Sequence, residues 1–223
     1  MSVVLALVAH PDDEVLGAGG TLARHAAQGD DVRLVFLTDG VGARGEDRAA
    51  ATRRAEAAAR AASILGAQPP KFLGFPDNRL DQVALLDVVK AIEAVVAEIE
   101  PATIYTHHGA DLNIDHAVCH RAVLTACRPI PASKVQNIYA MEVASSTEWA
   151  SPNSATAFVP TRYVDISSTM AVKRRAMEAY AEEMRPFPHA RSVEAIAALA
   201  TWRGASVGLT AAEAFIVVRE VVE

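Results

Sequence analysis

Residues 2–9, "SVVLALVA", form an unbroken apolar run that ends abruptly in His10-Pro11-Asp12-Asp13-Glu14. A run apolar at every position, not at alternate ones, suits a strand covered on both faces. "DVRLVFLTDG", "KFLGF" and "ATIYTH" read as further strands, and helical spacing predicts helices over 16–28, 47–65 and 82–99. Gly29, Gly66 and Pro101 punctuate these helices. Strand then helix, four times over, predicts an α/β fold, a Rossmann-like three-layer sandwich with a mostly parallel central sheet.

Beyond residue 115 the pattern continues with a helix to about 127, a strand at 135–144 and the polar loop "SSTEWASPNSAT". A short strand near 162–166 and a helix over 167–184 follow, broken by "RPFPHARS". A last helix begins near Ser192, and the β-branched "AFIVVREVV" reads as a closing strand. With 223 residues, no internal repeat and no linker, the expectation is one domain spanning 1–223.

A net charge of −6 without a basic block argues against nucleic acid or an anionic membrane as partner. No stretch approaches the roughly 20 apolar residues of a membrane span. The first apolar run lacks a basic start and leads straight into acids, so it reads as a strand and not a signal peptide. Cys119 and Cys127 match neither a metal motif nor a disulfide framework and are expected to be buried free thiols. A cytoplasmic protein is the expectation. The alanine-rich helices are as compatible with a homo-oligomer as with internal packing.

In parallel sheets ligands bind beyond the carboxyl ends of the strands. His10, Thr38-Asp39, Pro76-Asp77 and His107-His108 all fall at such ends, so four polar loops converge on one rim. Neighbouring acids repel, and a cation among Asp12, Asp13 and Glu14 would make the cluster tolerable. His10 and Asp13 form a sound pair of zinc ligands. The best third candidate is His116, where a loop enters a helix in "DLNIDH". Two His and one Asp leave a coordination position open for water, the mark of a catalytic zinc. Asp12, between two ligands, is then placed to act as general base.

Simpler roles compete for these residues. Asp12 or Asp13 could cap the following helix. Gly17-Ala18-Gly19-Gly20 begins too late for a dinucleotide loop and suits close helix packing or a small-residue floor. His120, a turn beyond His116, reads as supporting or structural, and His25 as a surface residue. Of His107 and His108, one is expected to face the site and the other the core. The "VGARGED" connection reads as a mobile lip, and Trp149 as either a sugar-stacking or a buried residue.

"AHPDDE" after the first strand, with "DLNIDH" about a hundred residues later, resembles the LmbE/PIG-L family of zinc-dependent N-acetylglucosaminyl deacetylases. Arg53-x-x-Glu56, "FPDNRL" and "RGASVGLTAAEAF" extend the resemblance over most of the chain. It implies that His10, Asp13 and His116 are the zinc ligands and that Asp12 is the base. It also implies a substrate-binding role for Arg53 and Asp77, with Arg79 in the same turn, and offers His189 as a C-terminal-loop histidine near the scissile amide.

One position departs from the family pattern. Several relatives carry a His three residues before the third ligand, where this chain has Asn113. An amide can donate to an oxyanion but cannot serve as a general acid at neutral pH. The acid is then Asp12 itself or His189, and Asp115 supports the metal shell. The expected activity is removal of an acetyl or other acyl group from an amino sugar or sugar conjugate, with Zn2+ or another divalent ion such as Fe2+ or manganese. The alternatives are a deacylase of a glycosylated natural product or non-sugar amide, a non-catalytic sugar binder and, by fold alone, a nucleotide-binding oxidoreductase.

Overall fold

A computed structural model describes residues 1–42, 48–131, 133–151, 153 and 155–222. The opening apolar run is β1 (Val3–Val8), followed by α1 (Asp13–Ala27), β2 (Asp31–Thr38), α2 (Arg48–Leu65) and β3 (Lys71–Phe75). A 3-10 turn (Leu80–Gln82) leads into α3 (Leu85–Ile99), β4 (Thr103–His107), α4 (Ile114–Ala126) and β5 (Asn137–Met141). A second 3-10 turn (Thr147–Trp149) precedes β6 (Arg162–Asp165), α5 (Met170–Ala179), α6 (Val193–Ala205) and β7 (Ala212–Arg219). Among the described residues no helix is long and apolar enough to cross a membrane.

One seven-stranded sheet runs in the order β3-β2-β1-β4-β5-β7-β6. The first five of these strands are parallel, and β7 pairs antiparallel with both β5 and β6. β1 shows why its residues are apolar throughout. Val4, Ala6 and Val8 join the core under α1 and α2, while Leu5, Leu7 and Ala9 join the core under α3 and α4. A strand so placed has no solvent face to reserve for polar residues.

The helices present apolar stripes to these cores. In α2, Ala57, Ala58, Ala61, Ala62 and Leu65 are buried, and Gly66 ends the helix at φ +78°. α1 begins at Asp13, three residues before its predicted start, because the turn at Asp12 leads directly into it. α5 stops at Ala179, short of the predicted 184. Both cysteines are buried free thiols. His25, expected at the surface, instead bridges Asp30 and the Tyr105 hydroxyl at 2.8 and 3.0 Å.

β1 and β4 are neighbours, yet their crossovers run to opposite sides of the sheet. The crevice beyond their carboxyl ends is therefore the topological switch point. The glycines of α1 allow the helix to lie close to its neighbours. A Cβ on Gly20 would meet three Ile166 side-chain atoms at 2.8–2.9 Å, and one on Gly17 would meet Met141. Ile166 is fully buried and cannot retreat. Gly20→Ala is therefore expected to destabilise the fold by about 1–3 kcal/mol through overpacking. The roughly 1 kcal/mol that Ala gains as a helix former offsets only part of this loss. Urea unfolding of the two proteins measures the difference.

Candidate metal centre at the carboxyl ends of β1 and β4

His10 leaves β1 just before α1, and His116 sits in the first turn of α4 after β4. Asp13 opens α1, and its carboxylate turns back to accept the His10 backbone N–H at 2.9 Å. Three atoms then face one point. His10 Nδ1 is 3.2 Å from Asp13 Oδ2 and 3.2 Å from His116 Nε2, which is 3.3 Å from Asp13 Oδ2. The edge of a tetrahedron around an ion with ligand bonds near 2.0–2.1 Å is about 3.3 Å. Asp13 Oδ1 is buried with no hydrogen-bond partner among the described residues. Two imidazole nitrogens, a carboxylate and this orphaned oxygen fit a divalent cation. The donor set suits zinc or iron better than magnesium or calcium.

Charge at the cluster follows from its partners. Burial alone would push His10 down, but the carboxylates of Asp115, Asp13 and Asp77 raise it well above the ordinary imidazole value. Burial would likewise push Asp13 up, but the charge of His116 and the ring hydrogen bonds of His10 and His116 hold it well below the usual carboxylate range. A proton on the rings and a cation between them answer the same electrostatic demand.

A second layer fixes the donors. His10 Nε2 lies 3.2 Å from Asp115 Oδ2 and 3.3 Å from Asp77 Oδ1. This pairing turns Nδ1 toward Asp13 and His116. Asp115 is itself held by the backbone N–H groups of Asn78 and Leu80, at 2.7 and 2.9 Å. His116 Nδ1 faces Asp111 Oδ1 at 3.2 Å. Asp111 accepts from the hydroxyls of Ser146 and Thr147 and from the Asn113 backbone N–H, which ties the 145–149 loop to His116. His10, Asp77 and Asp115 also lie close enough together to be a metal-binding group, though both Asp115 oxygens already accept backbone N–H groups.

His107 and His108 divide their roles. His107 is fully buried and stacks on His116 at 3.8 Å. Its Nε2 accepts the Ala9 backbone N–H at 2.8 Å. Burial and His116 push it well below the ordinary value, so it stays neutral. His108 turns outward to the Thr156 carbonyl, and His120 Nδ1 donates to the His107 carbonyl.

Asp12 stands beside this centre at φ 118°, a backbone conformation that costs a non-glycine residue about 1–3 kcal/mol. It makes no side-chain cap to α1. Its Oδ2 instead lies 3.0 Å from Arg191 Nη1 and 3.6 Å from Arg54 Nη1. Burial pushes its carboxyl up to about 6, against the pull of the two arginines. Glu183 pairs with Arg54.

Several residues singled out in the sequence stand elsewhere. Arg53, expected at the substrate, is half-exposed and pairs with Glu182; the neighbouring Arg54 is the arginine that reaches the site. Asn113, expected to donate to an oxyanion, caps α4 by accepting the Asp115 N–H at 2.9 Å, and its amide N–H points to Asn78. Arg79 is exposed on the turn after β3, with no contact to the three converging donors. Asp77 is buried against His10 rather than open to a ligand. His189 lies two residues from Arg191, accepts its N–H on Nδ1 at 3.0 Å, and meets the Trp149 ring edge-on at 5.7 Å. Trp149 is 53% exposed, so it is not a core residue. The lip read over 40–47 falls outside the described residues beyond position 42. Arg54, Arg191, Asp111 and Glu183 escaped the sequence. Only the position of Arg191 in the Pro-broken segment "RPFPHARS" hinted at a loop that folds back.

Comparison with known proteins bears on this geometry. The chain is 36% identical over 133 residues to the uncharacterized deacetylase YaiS of Escherichia coli (strain K12), a match covering 57% of this chain and 69% of that one. It is 27% identical over 187 residues to the diacetylchitobiose deacetylase of Thermococcus kodakarensis, covering 79% of this chain and 68% of that one. The fold superposes with a TM-score of 0.77 on GalB, the 4-carboxy-2-hydroxymuconate hydratase of Pseudomonas putida KT2440, at 25% identity over 100% of this chain and 98% of that one. A shared fold therefore does not by itself select the reaction. The family model described as PIG-L, GlcNAc-PI de-N-acetylase, matches residues 5–127, a segment that contains His10, Asp12, Asp13 and His116. The chain belongs to the PIG-L family of deacetylases.

Proposed function

We propose that this protein hydrolyses the N-acyl amide, foremost the N-acetyl amide, of an amino sugar or sugar conjugate, using a divalent metal held by His10, Asp13 and His116. The observation that carries this reading is the near-equilateral triangle of donor atoms, with edges of 3.2, 3.2 and 3.3 Å, next to a buried carboxylate that is not one of its corners. Zinc, or iron in its place, would supply Lewis acidity toward water and the amide carbonyl. A deacetylase active on diacetylchitobiose among the relatives supports an amino-sugar substrate.

The chain's own residues supply the proton traffic. Asp12 accepts a proton as the oxygen of water attacks the amide carbon. It returns that proton to the departing nitrogen as the C–N bond breaks, giving acetate and a free amine. Arg191 keeps Asp12 ionised in its buried setting. His189 Nδ1 is an acceptor from Arg191, so in the neutral ring Nε2 carries the hydrogen. That N–H is the oxyanion donor in place of Asn113, whose Oδ1 caps α4 and whose amide N–H donates to Asn78. The exposed face of Trp149, fixed beside His189, offers a platform for a sugar ring. A single sheet drawing on strands from Val3 to Arg219 supports one domain over 1–223, and two buried free thiols suit a cytoplasmic setting.

The decisive experiment is amine release from N-acetylated sugars and sugar conjugates, with and without chelator. Chelator-sensitive release is expected, and no release across the panel overturns the assignment. Asp12→Ala is expected to keep its metal while turnover falls at least about a hundredfold, the usual contribution of a positioned acid–base group. His116→Ala is expected to bind zinc at least roughly tenfold more weakly, since even loss of an outer-shell partner costs that much; competition with a chromogenic chelator measures it. Arg191→Gln removes a charge that lowers the Asp12 carboxyl. A base must be ionised to work, so the acid limb of kcat/KM is expected to move to higher pH in this variant. A pH–rate profile shows the shift.

A further inference from the structure

We propose that Glu14 is a positioning residue that holds Asp12 in its working orientation by gripping its backbone, a role that rests on the deacetylase reading above. The Pro11–Asp12 peptide is pinned at both ends. Arg54 Nη1 donates to the Pro11 carbonyl at 2.7 Å, and the Asp12 N–H donates to Glu14 Oε2 at 3.0 Å. On its other side the Asp12 carbonyl accepts from the N–H groups of Val15 and Leu16, at 3.1 and 3.0 Å, at the start of α1. With the peptide plane fixed before Asp12 and the helix fixed after it, rotation about the N–Cα bond is determined. The result is φ 118°, and the carboxylate lands on Arg191.

Glu14 is held in turn. The Tyr180 hydroxyl, one residue past α5, donates to Glu14 Oε1 at 2.7 Å. Glu14 is fully buried and Tyr180 nearly so, and among the described residues no Lys or Arg pairs with Glu14. A lone carboxyl in that setting is costly to bury. Its contacts go to the Asp12 N–H and the phenol, neither of which calls for a charge. Packing alone would be met by a leucine of similar size without any polar group to satisfy. What leucine cannot provide is an acceptor for the N–H of a residue outside the helix, in a conformation that L-residues rarely adopt.

Two variants of the zinc-loaded protein separate positioning from packing. Glu14→Leu removes the acceptor and keeps the bulk. Glu14→Gln keeps an amide oxygen for the Asp12 N–H and an amide N–H for the Tyr180 oxygen. The expected result for Glu14→Leu is a fall in kcat of about a hundredfold, as for a misplaced catalytic group, with KM and bound zinc unchanged. Glu14→Gln should recover most of that loss, and crystals of Glu14→Leu should show Asp12 at negative φ. The proposal is overturned if Glu14→Leu keeps its kcat or loses zinc in proportion to activity. It is equally overturned if Glu14→Gln is no better than Glu14→Leu, or if Asp12 stays at positive φ in the Glu14→Leu crystals. Should Glu14→Leu fail to fold, Tyr180→Phe takes its place. A several-fold fall in kcat at constant KM supports the clamp, and an unchanged kcat overturns it. If the wild-type chain releases no amine from any substrate, the deacetylase reading falls, while the Asp12 φ in the variant crystals still decides the clamp.

Discussion

Three consecutive carboxylic acids buried at one strand end cannot all carry charge against each other, and the site depends on how that conflict is resolved. Asp12, Asp13 and Glu14 are each nearly or wholly removed from solvent. Each meets a different partner. Asp12 is matched by the guanidinium groups of Arg191 and Arg54. Asp13 faces the imidazoles of His10, His116 and His107 and the place for a cation. Glu14 has no Lys or Arg partner among the described residues, and burial pushes its carboxyl up to about 8. One short turn thus places three adjacent acids in three different electrostatic settings.

The fold was legible where a residue's neighbours in sequence determine its surroundings. β1 is covered on both faces, so its residues are apolar without alternation, and that property survives in the bare sequence. The parallel order of the first five strands follows from the intervening helices. The insertion of β7 between β5 and β6 was not legible. Its strand character was plain from "AFIVVREVV", but which strand it joins is decided by contacts that local patterning does not encode. Helix ends shifted for local reasons, as at Asp13, where the backbone turn places the first helical residue ahead of the apolar periodicity.

The site was legible to the depth of its ion-facing atoms. His10, Asp13 and His116 carry chemistry in their side-chain types, and the structure brings them together. What surrounds them was harder. Arg53 and Arg54 are adjacent on α2, and successive helical residues point about 100° apart, so a slip of one position exchanges a surface arginine for a buried one. Asn113 looked like a substitute for a missing histidine. Its place immediately before a helix was a capping signal that could have been heeded. Arg191 lies 179 residues from Asp12, the carboxylate it pairs with, and nothing in the intervening sequence announces that return.

The Asp111 carboxylate reaches in two directions, to His116 on one side and to the hydroxyls of Ser146 and Thr147 on the other. The segment that carries Trp149 is therefore moored to the same side chain that steadies a metal donor. A chimera that borrows specificity from another member of the family would have to transplant Asp111, Ser146 and Thr147 as one inherited unit, or accept a slacker grip on the ion.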